Sequence, residues 1–298
     1  MTIRWGVSPI AWSNDDLAEL GGDTTLDTIL ADARDIGFQG VELGNKFPRD
    51  ARQLAPILDD YGLALVGGWY SSSLLLRDAD IEIAAMADHL ALLDAMGSDV
   101  FILAETSNAV HGDRHGGRLD SPPRLAAANW AEFGRRLNAV AAHVNGRGLR
   151  FAYHHHLGTV VERPEDMDRF LGATGNHVGF VLDTGHALCG GNDPVQLART
   201  CPERINHVHC KDVRTDRFRS ASAKGRSFLD GVIDGMFTAP GDGDYDYAPF
   251  MRTLSEIGYH GWIVVEAEQD PAVADPRIYS QTGLNTLKRL AVEAGLVS

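Results

Sequence analysis

Four absences limit what this chain can be. Cysteine is scarce: Cys189, Cys201 and Cys210 are an odd number without CxxC spacing. That argues against a disulfide framework and fits a reducing compartment, with packing as the reading for Cys189 and Cys201. Long apolar runs are missing, since none approaches the ~20 residues that span a bilayer. The opening MTIRWGVSPIAW reads as a strand, with no basic segment ahead of it and no small-residue cleavage site, so a cytoplasmic protein without a membrane partner is expected. Positive charge is short: 41 Asp and Glu face 27 Lys and Arg, a formal charge of −14, and no basic cluster stands out. A grip on phosphate backbones needs a basic face, so nucleic acid is not an expected partner. Finally, SPIAWSNDD after the first strand is no glycine-rich phosphate loop, which argues against a doubly wound nucleotide-binding sheet.

What is present is a regular alternation. The runs IRWGVSPI, GVELG, ALVGGW, DVFILAET, LRFAYHHH, HVGFVLDTG, INHVHCK and WIVVEA read as eight strands. Between them, Ile83, Met86, Leu90 and Leu93, and again Phe133, Leu137, Val140 and Val144, fall on one helix face by their spacings of three and four. Strands this uniformly apolar suit a parallel sheet covered on both faces. The phrases AMGSDVFILAE, NGRGLRFAY, GNHVGFVLD and EIGYHGWIVVE read as helix C-cap glycines feeding the next strand. Eight βα units without a break in composition predict one (β/α)8 barrel over residues 1–298, with its site at the C-terminal strand ends. Two stretches break the rhythm: SNAVHGDRHGGRLDSPP after the fourth strand, and a long polar insertion at about 212–240. Both leave strand C-terminal ends, where loops of this length tend to be lids or binding loops.

Half of the 12 histidines (His154, His155, His156, His186, His207 and His209) sit at the ends of three consecutive strands. Period-two geometry puts His154 and His156 on one side with His155 on the other, and gives His207, His209 and Lys211 a shared side. Asp183 and Glu266 end apolar runs, where an unpaired carboxylate is costly to bury, so each needs a cation or several donors. Asp183, His209 and Glu266, with a fourth ligand from the fifth strand, make a mixed oxygen–nitrogen set. Such a set suits manganese, cobalt, magnesium or zinc, and the absence of thiolate favours the harder ions. His186, three residues after Asp183, is a ligand, an orienter of one or a substrate contact.

LDTGH, HVHCKD, PGDG and the last strand VVEAE resemble the xylose isomerase-like barrels, whose members include sugar epimerases, isomerases and a metal-dependent endonuclease branch. The resemblance implies metal ligands at Asp183, His209 and Glu266. SPIAWSNDD, GVELGNKFPRD, YHHHLGT, RTDRF, KGRSFLDG and FTAPGDGDYDY narrow it, over nearly the whole chain, to the inosose dehydratase branch. His154 stands where many epimerases place a glutamate, unless Glu162 or Glu165 takes that position. The resemblance implies a hydro-lyase that takes water from 2-keto-myo-inositol in inositol catabolism to give a trihydroxycyclohexane-1,2-dione. It also implies manganese or cobalt, and glutathione. His154 and His156 are the candidate acid and base. Lys211 would polarise an oxygen or help hydroxide depart, or else pair with a carboxylate. Trp12, Glu42, Asn45, Lys46, Trp69 and Glu105 would grip a small-molecule polyol ketone, although a tryptophan there serves packing equally well. A dimer or tetramer of the chain stays open. The alternatives are a ketose isomerase or epimerase, an abasic-site nuclease, and a sugar-binding barrel without turnover.

Overall fold

All eight expected runs are strands, and they close on one another. The computed structural model describes residues 2–297. The barrel consists of β1 (Ile3–Val7), β2 (Gly40–Leu43), β3 (Ala64–Ser72), β4 (Val100–Glu105), β5 (Arg150–His154), β6 (Gly179–Asp183), β7 (Ile205–Cys210) and, after two short strands described below, β10 (Gly261–Val265). All pairs are parallel, and β10 returns to β1 in register from Ile3 opposite Gly261 to Val7 opposite Val265. Around it lie α1 (Leu26–Ile36), α2 (Ala51–Tyr61), α3 (Ala79–Ala85), α4 (Ala87–Ala95), α5 (Trp130–Gly146), α6 (Pro164–Ala173), α7 (Thr184–Gly190) and α8 (Pro194–Thr200). The ring is completed by α11 (Tyr247–Glu256) and α12 (Pro276–Glu293).

The helices form where the apolar spacing predicts. Phe133, Leu137, Val140 and Val144 make the buried stripe of α5. The other stripe is split, because the chain breaks at Met86 between α3 and α4, leaving Ile83 half-buried while Met86, Leu90 and Leu93 are buried. Gly97, Gly148 and Gly258 take the positive φ of helix-ending glycines. The phrase GNHVGFVLD differs: α6 ends on extended Thr174, and Gly175 donates its N–H to Asn138 Oδ1 instead. Inside the barrel, Val66, Val100, Ile102, Ala152, Val181, Trp262 and Val264 form an apolar floor. Gly40 makes room for it, since a Cβ there would stand 2.8 Å from both Val66 and the Trp262 ring.

The insertion at 212–240 departs from the expected loop. It folds into α9 (Thr215–Ala223) and α10 (Phe228–Ile233), flanked by the antiparallel ribbon of β8 (Asp212–Val213) and β9 (Phe237–Thr238). Phe228, Leu229, Val232, Met236 and Phe237 pack on Leu17 and Leu20 of the first loop and on Leu157. The polar residues that made it look like a loop are the outer faces and anchors of this unit; Arg214, for instance, donates to the carbonyls of Gly235 and Phe237 at 3.0 and 3.2 Å. Among the described residues, no helix is long and apolar enough to cross a membrane.

Candidate active site

Strand register assembles the site. Asp183 ends β6 directly opposite His209 on β7, and Cys210 pairs with Val265, the residue before Glu266. The three side chains converge: His209 Nδ1 lies 3.5 Å from Asp183 Oδ2 and 2.8 Å from Glu266 Oε2. All three of these atoms are buried, and none makes a hydrogen bond. Leaving two carboxylate oxygens and an imidazole nitrogen unpartnered at such distances is expensive unless a cation sits among them. His154 completes the set from β5. Its Nδ1 is 2.7 Å from the His155 carbonyl and so carries the proton, which leaves Nε2 with a lone pair, 3.7 Å from Asp183 Oδ2. Burial, then the charge of His209, hold its pKa down at about 3. Two nitrogens and two carboxylates fit a divalent ion of intermediate hardness.

The neighbouring sequence makes this arrangement possible. Asp183 Oδ1 accepts the His186 N–H at 2.8 Å and caps α7, so only Oδ2 is left for the centre. Thr184 Oγ1 donates to the Lys211 carbonyl at 2.9 Å. Gly185 lets the Lys211 stem pass, because a Cβ there would meet its carbons at 2.8–2.9 Å. In the KD pair, Asp212 accepts the N–H groups of Gly241, Gly243 and Tyr245 at 3.0–3.2 Å. HVHCKD and PGDG are thus one structural unit, and Asp212 is its organiser.

Above the centre opens a cleft of about 670 Å³ including its mouth, lined by His154, His156, His186, His209, Glu42, Glu266, Glu268, Trp69, Asp15 and Asp16 among others. No lysine or arginine is among its described lining residues. His156 and His186 pack against each other with ring centroids 3.7 Å apart and planes tilted by 36°, and burial holds both pKa values well below the usual range, so both are neutral. His156 Nδ1 is 2.7 Å from the Leu157 carbonyl, which leaves Nε2 as its lone-pair nitrogen. Trp69 meets His154 and His156 edge-on at 5.3 and 5.6 Å. Lys211 lies behind the wall, buried, with Nζ 3.0 Å from Glu266 Oε1 and 2.7 Å from Glu268 Oε2. Burial alone would lower its pKa, but Glu266, Glu268 and Asp183 outweigh that and keep the ammonium charged.

Several expected contacts lie elsewhere. Trp12 is buried in the core with Nε1 donating to Asp32 at 2.9 Å, as a packing tryptophan does. Asn45 is tied to Ser13, Asn14 and Asp15 of the first loop, and Lys46 Nζ donates to the Gly22 carbonyl at 2.6 Å. Glu105 accepts from Ser72 Oγ and the Ser107 N–H, tying up a loop amide. Glu162 accepts the Gly158 N–H at 2.6 Å and Glu165 pairs with Arg124, whereas His154 is the residue that ends β5. Sequence reasoning missed Asp15, Asp16, Glu268 and His111. Glu268 carried a signal, since it stands two residues past Glu266 and so on the same side if the strand continues. His111, in the irregular stretch after β4, reaches within 4.8 Å of the His156 ring, and nothing local announces that contact.

Comparison with known proteins agrees with this architecture. The model of the family described as "Xylose isomerase-like TIM barrel" matches residues 30–290. The chain is 44% identical over 296 residues to the rhizopine catabolism protein MocC of Rhizobium meliloti, covering 99% of this chain and 90% of that protein. It is 37% identical over 281 residues to the inosose dehydratase of Lacticaseibacillus casei, covering 94% of each. Among solved structures, an L-ribulose 3-epimerase superposes with a TM-score of 0.68 at 17% identity, over 99% of this chain and 96% of that one, a likeness of fold alone. The chain belongs to the xylose isomerase-like TIM barrel family, with MocC and the inosose dehydratases among its relatives.

Proposed function

We propose that this chain is a metal-dependent hydro-lyase that removes water from 2-keto-myo-inositol to give a trihydroxycyclohexane-1,2-dione. The observation that carries the reading is the meeting of unpartnered Asp183 Oδ2, His209 Nδ1 and Glu266 Oε2 at the base of a cleft without cationic walls. Such a cleft suits an uncharged polyol ketone. Full-length relatives named inosose dehydratase support the choice of dehydration over isomerisation.

Asp183, His209, Glu266 and His154 would hold the ion, with manganese or cobalt preferred on donor type. When bound, it supplies Lewis-acid stabilisation of negative charge developing on the ketone oxygen. His156 Nε2 is the neutral imidazole lone pair placed to take the α-proton. The freed electron pair forms a carbon–carbon double bond, and the β-hydroxyl leaves with a proton as water, donated from Asp15 or Glu268. The α-carbon keeps its own hydroxyl, so the product is an enol that tautomerises to the dione. Trp69, edge-on to both histidines, offers an apolar surface to the ring. Incubating the protein and Mn²⁺ with the keto-inositol should give loss of one water in the mass spectrum and an absorbing dione. Unchanged mass with altered stereochemistry would establish the isomerase instead. Omitting or adding glutathione in the same assay decides whether it takes part.

A further inference from the structure

Across the barrel lumen from β7, Glu42 on β2 points one carboxylate oxygen at two histidines. Its Oε1 lies 2.8 Å from His207 Nε2 and 2.9 Å from His209 Nε2, and all three side chains are buried. A carboxylate has no proton to give, so both nitrogens must donate. Each imidazole therefore carries its proton on Nε2, and His209 turns its other nitrogen, Nδ1, toward Asp183 and Glu266. We infer that Glu42 is a positioning residue for the cation site: it fixes the tautomer and ring angle of His209, so that the Nδ1 lone pair faces the centre. This rests on the metal reading above.

His207 gives the arrangement its rigidity. It sits two residues before His209 on the same face of β7, its ring edge-on at 5.0 Å, and its N–H pins the same oxygen. Glu42 is held by two donors on one rigid strand, which limits its freedom to follow a substrate. An acceptor of this kind behind a ligating histidine changes metal affinity by about 10–100-fold when removed. Direct contact with a substrate hydroxyl would instead appear in KM.

The test compares wild type, Glu42→Gln and Glu42→Leu for Co²⁺ affinity by calorimetry and for the visible Co²⁺ absorption spectrum. Glutamine keeps an acceptor oxygen, while leucine removes it. The expected result is at least tenfold weaker Co²⁺ binding with an altered spectrum in Glu42→Leu, and an intermediate loss in Glu42→Gln. Co²⁺ affinity and spectrum unchanged in both variants, with only KM raised, would overturn the role and leave the metal site standing. A wild-type protein that takes up no Co²⁺ would overturn both. Should Glu42→Leu fail to fold, Glu42→Gln alone decides: a loss of threefold or more with a shifted spectrum supports the role, and wild-type binding refutes it.

Discussion

Replacing Lys211 with methionine separates a lysine that acts on substrate from one that holds the site together. The change keeps most of the stem that passes Gly185 and removes the ammonium that lies 3.0 Å from Glu266 Oε1 and 2.7 Å from Glu268 Oε2. Two buried carboxylates are then left without their shared partner. Breaking a buried pair from one side costs about 3–5 kcal/mol, which for a domain of this size corresponds to a fall in Tm of about 6–20 °C. The fall should be largest in chelator. Mn²⁺ or Co²⁺ should recover part of it, because the ion neutralises Glu266 from the other side, and metal affinity should match or exceed wild type once the nearby positive charge is gone. Melting curves with and without metal, together with calorimetric titration, give all three numbers. If Lys211→Met melts with wild type in chelator yet loses all turnover, the ion-pair reasoning is refuted and Lys211 acts on the substrate.

Asp183→Asn should keep the fold, because an asparagine oxygen can still cap α7 through the His186 N–H. Losing the charge at Oδ2 should weaken Mn²⁺ binding at least about 100-fold, and titration showing wild-type affinity would count against the ligand set. Phe228→Ala removes the insertion's ring from against His156 and His186, 5.1 and 5.9 Å away between centroids. A loss of about 3–5 kcal/mol in a urea melt is expected, with lower kcat; a purely decorative insertion would leave kcat unchanged. Glu162 is held up at about 7 from 4.5, mainly by burial, so the folded state binds its proton more tightly than the unfolded chain. Its contribution is fully present below about pH 4.5 and is lost as pH rises through 7. Glu162→Gln should therefore gain up to about 3 kcal/mol over wild type at pH 8 and little at pH 4.5, and parallel denaturant midpoints at the two pH values would contradict this.

How much of this was legible in the sequence depends on how local each signal is. The strands were readable because each is a short apolar run closed by glycine or a polar residue, and the barrel followed from their number. Asp183 and Glu266 were readable for the same reason, since a carboxylate ending VGFVL or WIVV must meet a partner. Glu42 was located at the cleft, but its bonds to His207 and His209 were not legible, because those partners lie 165 and 167 residues away across the lumen. Trp12 looks alike in sequence whether it faces a substrate or Asp32. The insertion was misjudged because a helix pair packed on one small apolar cluster keeps most of its surface polar.

The charges of the centre tie these observations together. Glu42, Asp183, Glu266 and Glu268 are four buried carboxyls, and Lys211 is the one ammonium among them. Burial, against the opposing pull of Lys211, holds Glu268 up at about 7, so near neutrality it keeps a proton much of the time. Three negative charges then remain against one positive. Without an ion His209 carries part of that load as an imidazolium: burial alone would lower its pKa, but Glu42, Glu266 and Asp183 outweigh that and raise it well above 6.5. A divalent ion would displace the Nδ1 proton, leave the Nε2 proton on Glu42, and supply the missing two charges at the point where Asp183, His209 and Glu266 already converge. With the ion in place the cluster is neutral, and a cleft without lysine or arginine on its walls has no attraction left for a phosphate or a carboxylate on the ligand. That balance favours an uncharged polyhydroxy ketone over a sugar phosphate or sugar acid.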